Sequence, residues 1–254
     1  MQPADFALIA AVNDDAILEA CLKQSPDVAE GRLKLITIHD APSMARAYNA
    51  GLDQVSCRYA IFAHQDVYLP QGWLDRVIAT LSALETSHPD WMVAGPYGVG
   101  ADGRHAGRVW DVGMNTELGE AGFAPSPVVS LDELLLILKT DAGYRFDQDL
   151  PHFHLYGTDL VQSCLTMGRS AWAVEMPVVH NSQIVSSLAG GYTQAHHYMR
   201  RKWRDRLPIP TTVTPLTRNP LRILKARWSM RGAPKRDGKL LADAVAVARQ
   251  AGYE

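Results

Sequence analysis

The chain opens on an unbroken apolar run, Phe6–Val12, that stops at Asn13-Asp14-Asp15. A continuous run of strand length predicts a central strand covered on both faces, as in a parallel sheet. Residues 16–22 then alternate with helical period, and Asp14 or Asp15 supplies the N-cap. Residues 33–38 predict a second strand ending at His39-Asp40, 43–52 a helix, 59–63 a third strand, 75–85 a helix, and Trp91–Gly95 a fourth strand. This β-α-β-α-β-α-β alternation predicts an α/β fold with a doubly wound, mainly parallel central sheet flanked by helices. Residues 95–122 are rich in glycine and polar positions and read as a long irregular loop. Strand-like order returns over 128–138. Residues 156–160 lead into a helix over 161–168 that Gly168 closes. Residues 170–175 predict another strand, followed by Pro177-Val178-Val179-His180-Asn181-Ser182. Beyond residue 185, helical pieces are broken by Pro208, Pro210, Pro215 and Pro220.

Composition narrows the class. The 254 residues suffice for one large core, and 20% charged with 47% hydrophobic residues is ordinary for a soluble globular protein. No apolar run approaches the length of a spanning helix. The first residues lack a basic segment and carry Asp5, which makes a poor signal peptide. Cys21, Cys57 and Cys164 are odd in number and widely spaced, which fits reduced thiols in the cytoplasm. With no C-x-x-C pair, a structural zinc site is not expected. Residues 200–254 hold 14 Lys and Arg against 4 Asp and Glu, leaving 11 against 23 in the rest of the chain. A basic tail on an acidic body points to an anionic partner, or to a tail folded back on that body.

The chemistry gathers at strand ends. Three successive strands run out at Asn13, Asp40 and Asp66, and ligands in open α/β sheets gather at the carboxyl ends of strands. His64 and Asp66 put imidazole and carboxylate two residues apart at one tip, a pair suited to a divalent cation. The alternative for Asn13, Asp40 and Asp66 is a turn-forming role. Neither a phosphate-binding G-x-x-x-x-G-K-[ST] loop nor a G-x-G-x-x-G dinucleotide turn follows the first strand.

Five stretches, in this order and spacing, resemble the family-2 glycosyltransferases of GT-A fold, in their bacterial glycosyltransferase-like branch. They are Val12-Asn13 at the end of the first strand, the helix from Ser43 to Asn49-Ala50-Gly51, FAHQDVYLPQGWL, YRFDQDLPHFHLYGTDLVQSCLTMG, and EMPVVHNS. The resemblance covers residues 5–185. It implies a GT-A domain over 1–185 and leaves 186–254 as a basic, mostly helical extension packed on or near that core.

The family has a D-x-D motif at the end of its third strand. Here His64 stands in the first acidic place and Asp66 keeps the second, and His180 matches a late histidine that completes the metal site. The implied ion is Mn²⁺ or Mg²⁺, bound by His64, Asp66 and His180. Asp159, at a helix start, matches the catalytic base; an N-cap is its plainer reading. Asn13 and Asp40 would hold base and ribose, Asp66 the diphosphate, and Asp132 and Glu133 the donor sugar or acceptor. Trp110 and Asp111 would line the sugar site, and His152 and His154 the acceptor loop.

The function so implied is transfer of a hexose from a UDP- or GDP-linked donor to a glycan or lipid-linked acceptor, with inversion, in polysaccharide biosynthesis. The expected setting is cytoplasmic, peripheral at the inner membrane face through residues 200–236, which mix cations with Leu, Ile and Trp. Nucleic acid is not an expected partner. The rival classes are a metal-dependent hydrolase or nucleotidyltransferase and an inactive nucleotide- or glycan-binding module.

Overall fold

The computed structural model describes residues 1–182, 188, 191–219, 221–223, 226 and 241–254. Its strands, in chain order, are β1 (Phe6–Val12), β2 (Lys34–His39), β3 (Tyr59–His64), β4 (Val67–Tyr68), β5 (Trp91–Gly95), β6 (Tyr97–Val99), β7 (His105–Asp111), β8 (Thr116–Gly119), β9 (Ser126–Pro127), β10 (Ser130–Leu131), β11 (Leu135–Lys139), β12 (Ser170–Ala173) and β13 (Val178–His180). The helices are α1 (Asp15–Ala20), α2 (Pro26–Ala29), α3 (Met44–Leu52), α4 (Trp73–Ser87), α5 (Tyr156–Thr166), α6 (Tyr192–Lys202) and α7 (Ala244–Gln250).

The main sheet has the order β2-β1-β3-β11-β5-β12-β9. β1 pairs in parallel with β2 and β3, and β12 with β5, while β11 runs antiparallel between β3 and β5. The sheet is therefore mixed but mainly parallel, as expected. The apolar run of β1 is explained by burial on both faces. Leu8 and Ala10 join Leu18, Trp73 and Leu81 on one side, and Ile9 joins Tyr48, Phe62 and Leu160 on the other. Asp14 caps α1 by accepting from the Ala16 and Ile17 amides at 2.9 and 3.3 Å.

Two expectations are corrected. Residues 128–138 are not one strand: β10 and β11 are separated by a turn in which Asp132 accepts from the Leu134 amide at 3.2 Å. The glycine-rich segment is not irregular either. Residues 95–122 form β6, β7 and β8, which build a second sheet of order β10-β6-β7-β13-β4, with β8 on β7. Its glycines permit close backbone approach. Gly107 has φ +143°, and a Cβ there would lie 2.2 Å from the Pro96 carbonyl; a Cβ on Gly119 would lie 1.8 Å from the Gly107 carbonyl. Glycine content was read as looseness, whereas here it allows tight strand packing.

The described part of the tail packs on the core. Tyr192, Ala195 and Met199 of α6, with Leu207, Ile209 and Leu216, join the cluster that holds Tyr48 and Phe62. Ala244 and Ala248 of α7, with Tyr253, pack on Tyr68 and Val179. Much of residues 220–240 lies outside the described residues, including five of the eleven residues of the basic stretch 218–228. Among the described residues, no helix is long and apolar enough to cross a membrane.

Two predictions follow from this packing. Gly107→Ala forces an L side chain into a strained backbone region, a cost of about 1–3 kcal/mol. It should lower Tm by roughly 2–4 °C per kcal/mol in a calorimetric scan. His196 on α6 is 1% exposed, its Nε2 lies 3.4 Å from the Pro215 carbonyl, and its Nδ1 has no hydrogen-bond partner. Burial pulls its pKa from 6.5 down to about 4, with Arg200 and His197 adding to the effect and the Pro215 carbonyl opposing it. The unfolded chain therefore binds the proton more readily, so stability falls as pH drops from 6.5 toward 4. Urea midpoints across that window should decline less steeply for His196→Gln than for the parent chain.

Candidate metal and nucleotide site

A cleft of ≈ 300 Å³ opens where β1, β2 and β3 end. Val12, Ile38, Ala41 and Met44 form an apolar part of its wall, and Asn13, Asp40, His64, Gln65, Asp66 and Glu133 a polar part. Phe153, 40% exposed, and His154 also face it. Gln65 joins two of the strand tips. Its Oε1 accepts from the Asn13 and Asp14 amides at 2.9 and 3.2 Å, and its Nε2 donates to Asn13 Oδ1 at 2.6 Å. Asp40 takes φ +54°, a left-handed conformation that short Asx side chains tolerate.

His180 reaches this place from far along the chain because β13 pairs antiparallel with β4 and in parallel with β7. One ring nitrogen each of His64 and His180 and one carboxylate oxygen of Asp66 lie within 4.8 Å of one another. Asp66 Oδ1 is 4.0 Å from His64 Nδ1 and 3.6 Å from His180 Nε2. That oxygen is buried without a hydrogen-bond partner. A buried carboxylate oxygen left so is costly unless a cation meets it. Two imidazole nitrogens and one carboxylate oxygen form a donor set suited to Mn²⁺ and other borderline ions, whereas Mg²⁺ prefers oxygen throughout. The residues present therefore fit a divalent metal.

Without an ion these groups neutralise one another. Burial raises the Asp66 carboxyl, but the charges of His180 and His64 outweigh it and bring the pKa down to about 2. Burial lowers His180, but Asp66 and Asp111 carry it up to about 10, so an imidazolium sits between two carboxylates. For His64 burial dominates and holds the pKa below its ordinary value, against the pull of Asp66.

The remaining expected residues are placed unevenly. Glu133 lines the cleft, and its Oε1 accepts from the Gly157 amide at 3.2 Å, at the start of α5. A Cβ on Gly157 would lie 3.1 Å from Glu133 Cγ and 2.9 Å from the Leu131 carbonyl, so glycine there makes room for the Glu133 carboxylate. Burial, then the nearby Asp132 charge, raises the Glu133 pKa well above the usual carboxylate range. Asp132 caps the β10–β11 turn and is not among the residues lining the cleft.

Asp159, expected as the base, is 1% exposed and also not among them. Its carboxylate lies 2.8 and 2.9 Å from Lys202 Nζ and accepts from Trp203 Nε1 at 2.8 Å. Burial raises its pKa despite Lys202. Here Asp159 ties α5 to α6, and its carboxylate faces Lys202 and Trp203 rather than the cleft.

Sequence reasoning missed Gln65 and Tyr156, and it gave Asp111 a different role. Asp111 Oδ2 is 3.2 Å from His180 Nδ1, and its two oxygens also accept from Ser182 Oγ at 3.0 and 3.1 Å. The Tyr156 hydroxyl lies 2.8 Å from His64 Nε2 and donates to the Glu133 carbonyl at 2.7 Å. Gln65 acts between the tips of β1 and β3, whereas Tyr156 acts through the β10–β11 turn, a contact between distant segments that no sequence signal marks.

A Fuscovulum blasticum protein described as ATP synthase subunits region ORF 6 is 30% identical over 160 residues, 59% of this chain and 61% of that protein. The chain thus spans less than two thirds of that relative. Among solved structures, S. aureus TarS 1-349 is similar at TM-score 0.49 and 14% identity, over 82% of this chain and 66% of that one. The mannosyltransferase PcManGT from Pyrobaculum calidifontis, solved with GDP-Man and Mn²⁺, is similar at TM-score 0.49 and 12% identity, over 99% and 77%. The family model described as "Glycosyltransferase like family" matches residues 7–203. That match runs from β1 through α6 and takes in each candidate ligand, so the chain belongs to the glycosyltransferase-like family.

Proposed function

We propose that this chain transfers a hexose from a UDP- or GDP-linked donor to a glycan or lipid-linked acceptor, with Mn²⁺ held by His64, Asp66 and His180. The observation that carries the reading is the convergence of two imidazole nitrogens and a buried carboxylate oxygen that accepts no hydrogen bond, with His64 and Asp66 lining the strand-tip cleft. His64, Asp66 and His180 would hold a divalent ion there, and it would supply charge neutralisation for a departing nucleoside diphosphate. The apolar wall of Ile38, Ala41 and Met44, with Phe153 beside it, suits the flat face of a nucleobase. Asn13 and Asp40 stand where its base and ribose edges need polar partners.

The base role falls to Glu133. It faces the cleft, is held by the Gly157 amide, and has a carboxyl pKa raised toward the range in which proton abstraction from a hydroxyl is efficient. A base on the acceptor side implies direct displacement with inversion. An anionic lipid surface is the partner proposed for residues 200–236, of which Arg201 and Arg204 are exposed.

Three outcomes test this. In thermal-shift titrations, UDP or GDP should stabilise the parent chain only with Mn²⁺, and Asp66→Ala should abolish the effect; full retention in the variant sinks the metal assignment. Glu133→Gln should keep Mn²⁺-dependent nucleotide binding and lower transfer by about 10²–10⁴-fold. It should also remove the loss of kcat/KM at low pH, since the base works only when ionised. Asp159→Ala leaves Lys202 with Asp147 alone and the Trp203 indole N–H without its acceptor, and should cost about 1–3 kcal/mol of stability in denaturant unfolding. If it instead left stability intact and removed transfer, the base assignment would return to Asp159.

A further inference from the structure

We infer that Asp111 and Tyr156 are positioning residues that set which nitrogen each histidine offers to the metal. The inference rests on the metal reading above and deepens it, because neither residue is itself a ligand. Hydrogen-bond counting carries the argument. The Tyr156 hydroxyl has one proton, and it goes to the Glu133 carbonyl at 2.7 Å, which can only accept. The 2.8 Å contact between Tyr156 and His64 Nε2 must then run from the ring N–H to the hydroxyl oxygen. His64 therefore keeps its proton on Nε2 and presents the Nδ1 lone pair toward Asp66. On the other side, an ionised Asp111 can only accept, so His180 Nδ1 donates to it. Nε2 is left as the nitrogen that faces Asp66 Oδ1.

The two histidines thus use opposite ring nitrogens, and each is held to that choice by a different neighbour. Asp111 is itself held in place. It accepts from Ser182 Oγ and, at 2.8 Å, from the Met114 amide, and parallel pairing makes it the register partner of His180. Tyr156 is buried at the start of α5 with its ring edge-on to Tyr48. Both partners are held by contacts of their own, so the nitrogens do not have to be ordered by the ion when it arrives. Partners of this kind orient ligand rings and raise their basicity, and their loss costs about 10–100-fold in metal affinity.

The test uses the full chain and Mn²⁺ alone, followed by the electron paramagnetic resonance of free Mn²⁺, with Co²⁺ visible absorption as a report on ligand geometry. Asp111→Ala and Tyr156→Phe should each weaken Mn²⁺ binding by about 10–100-fold and shift the Co²⁺ bands. Asp111→Asn keeps a neutral acceptor for Nδ1–H and should fall between the parent and Asp111→Ala. Near-ultraviolet circular dichroism identifies any variant that has lost its fold; in that case Asp111→Asn decides for the Asp111 side. If the parent binds Mn²⁺ while the folded variants stay within about two-fold of it and keep its Co²⁺ spectrum, the positioning role is wrong and the metal site stands. If the parent binds no Mn²⁺, both readings fall together.

Discussion

β13 is three residues long, and the candidate site depends on what holds it. It pairs in parallel with β7, placing His180 beside Asp111, and antiparallel with β4, placing His180 opposite Val67. Strand side chains alternate faces, so a slip of one residue on either edge would turn His180 away from Asp66. The register is fixed from outside the strand. The Asn181 side chain donates to the Ala242 carbonyl at 2.8 Å and accepts from its amide at 3.2 Å. The Asn181 amide donates to the Asp66 carbonyl at 2.9 Å. α7 and Tyr253 then cover Tyr68 and Val179. The C-terminal segment is in this sense part of the site's frame, although none of its described residues lines the cleft.

The start of α5 is the second organising point. Tyr156 reaches His64, the Gly157 amide holds Glu133, and Asp159 ties the helix to Lys202 and Trp203. Three neighbouring positions thus serve three different purposes. Burying a carboxylate beside a lysine costs desolvation, which their pairing offsets only while both partners remain. The pair joins α6 to α5.

The basic segment shows how charge can be spent internally. Arg200 donates to the Thr217 and Arg218 carbonyls, Lys202 pairs with Asp147 and Asp159, and Arg206 donates to the Gln162 carbonyl. Three of the cations that suggested an anionic partner therefore close the fold, in keeping with a tail folded on an acidic body. Among the described residues, Arg201, Arg204, Arg218 and Arg222 remain exposed.

The strand-helix alternation through Trp91–Gly95 was legible in the sequence because both faces of β1 and β3 are buried, which leaves unbroken apolar runs ending in polar tips. Asn13, Asp40, His64 and Asp66 were legible for the same reason: ligands gather at strand ends, and those ends are written locally. The resemblance to a known family supplied His180. What the sequence could not show is pairing between distant segments. The second sheet was hidden because its strands are short, and their glycines serve backbone contact rather than turns. Asp159 looked like a base because its helix-start position is visible in sequence, while its enclosure by Lys202 and Trp203, more than forty residues later, is not. Chain order determined which chemical groups stand at the strand tips. Only tertiary packing decided which of them meet, because ring orientation, burial and the free oxygen of Asp66 are all set by neighbours remote in sequence.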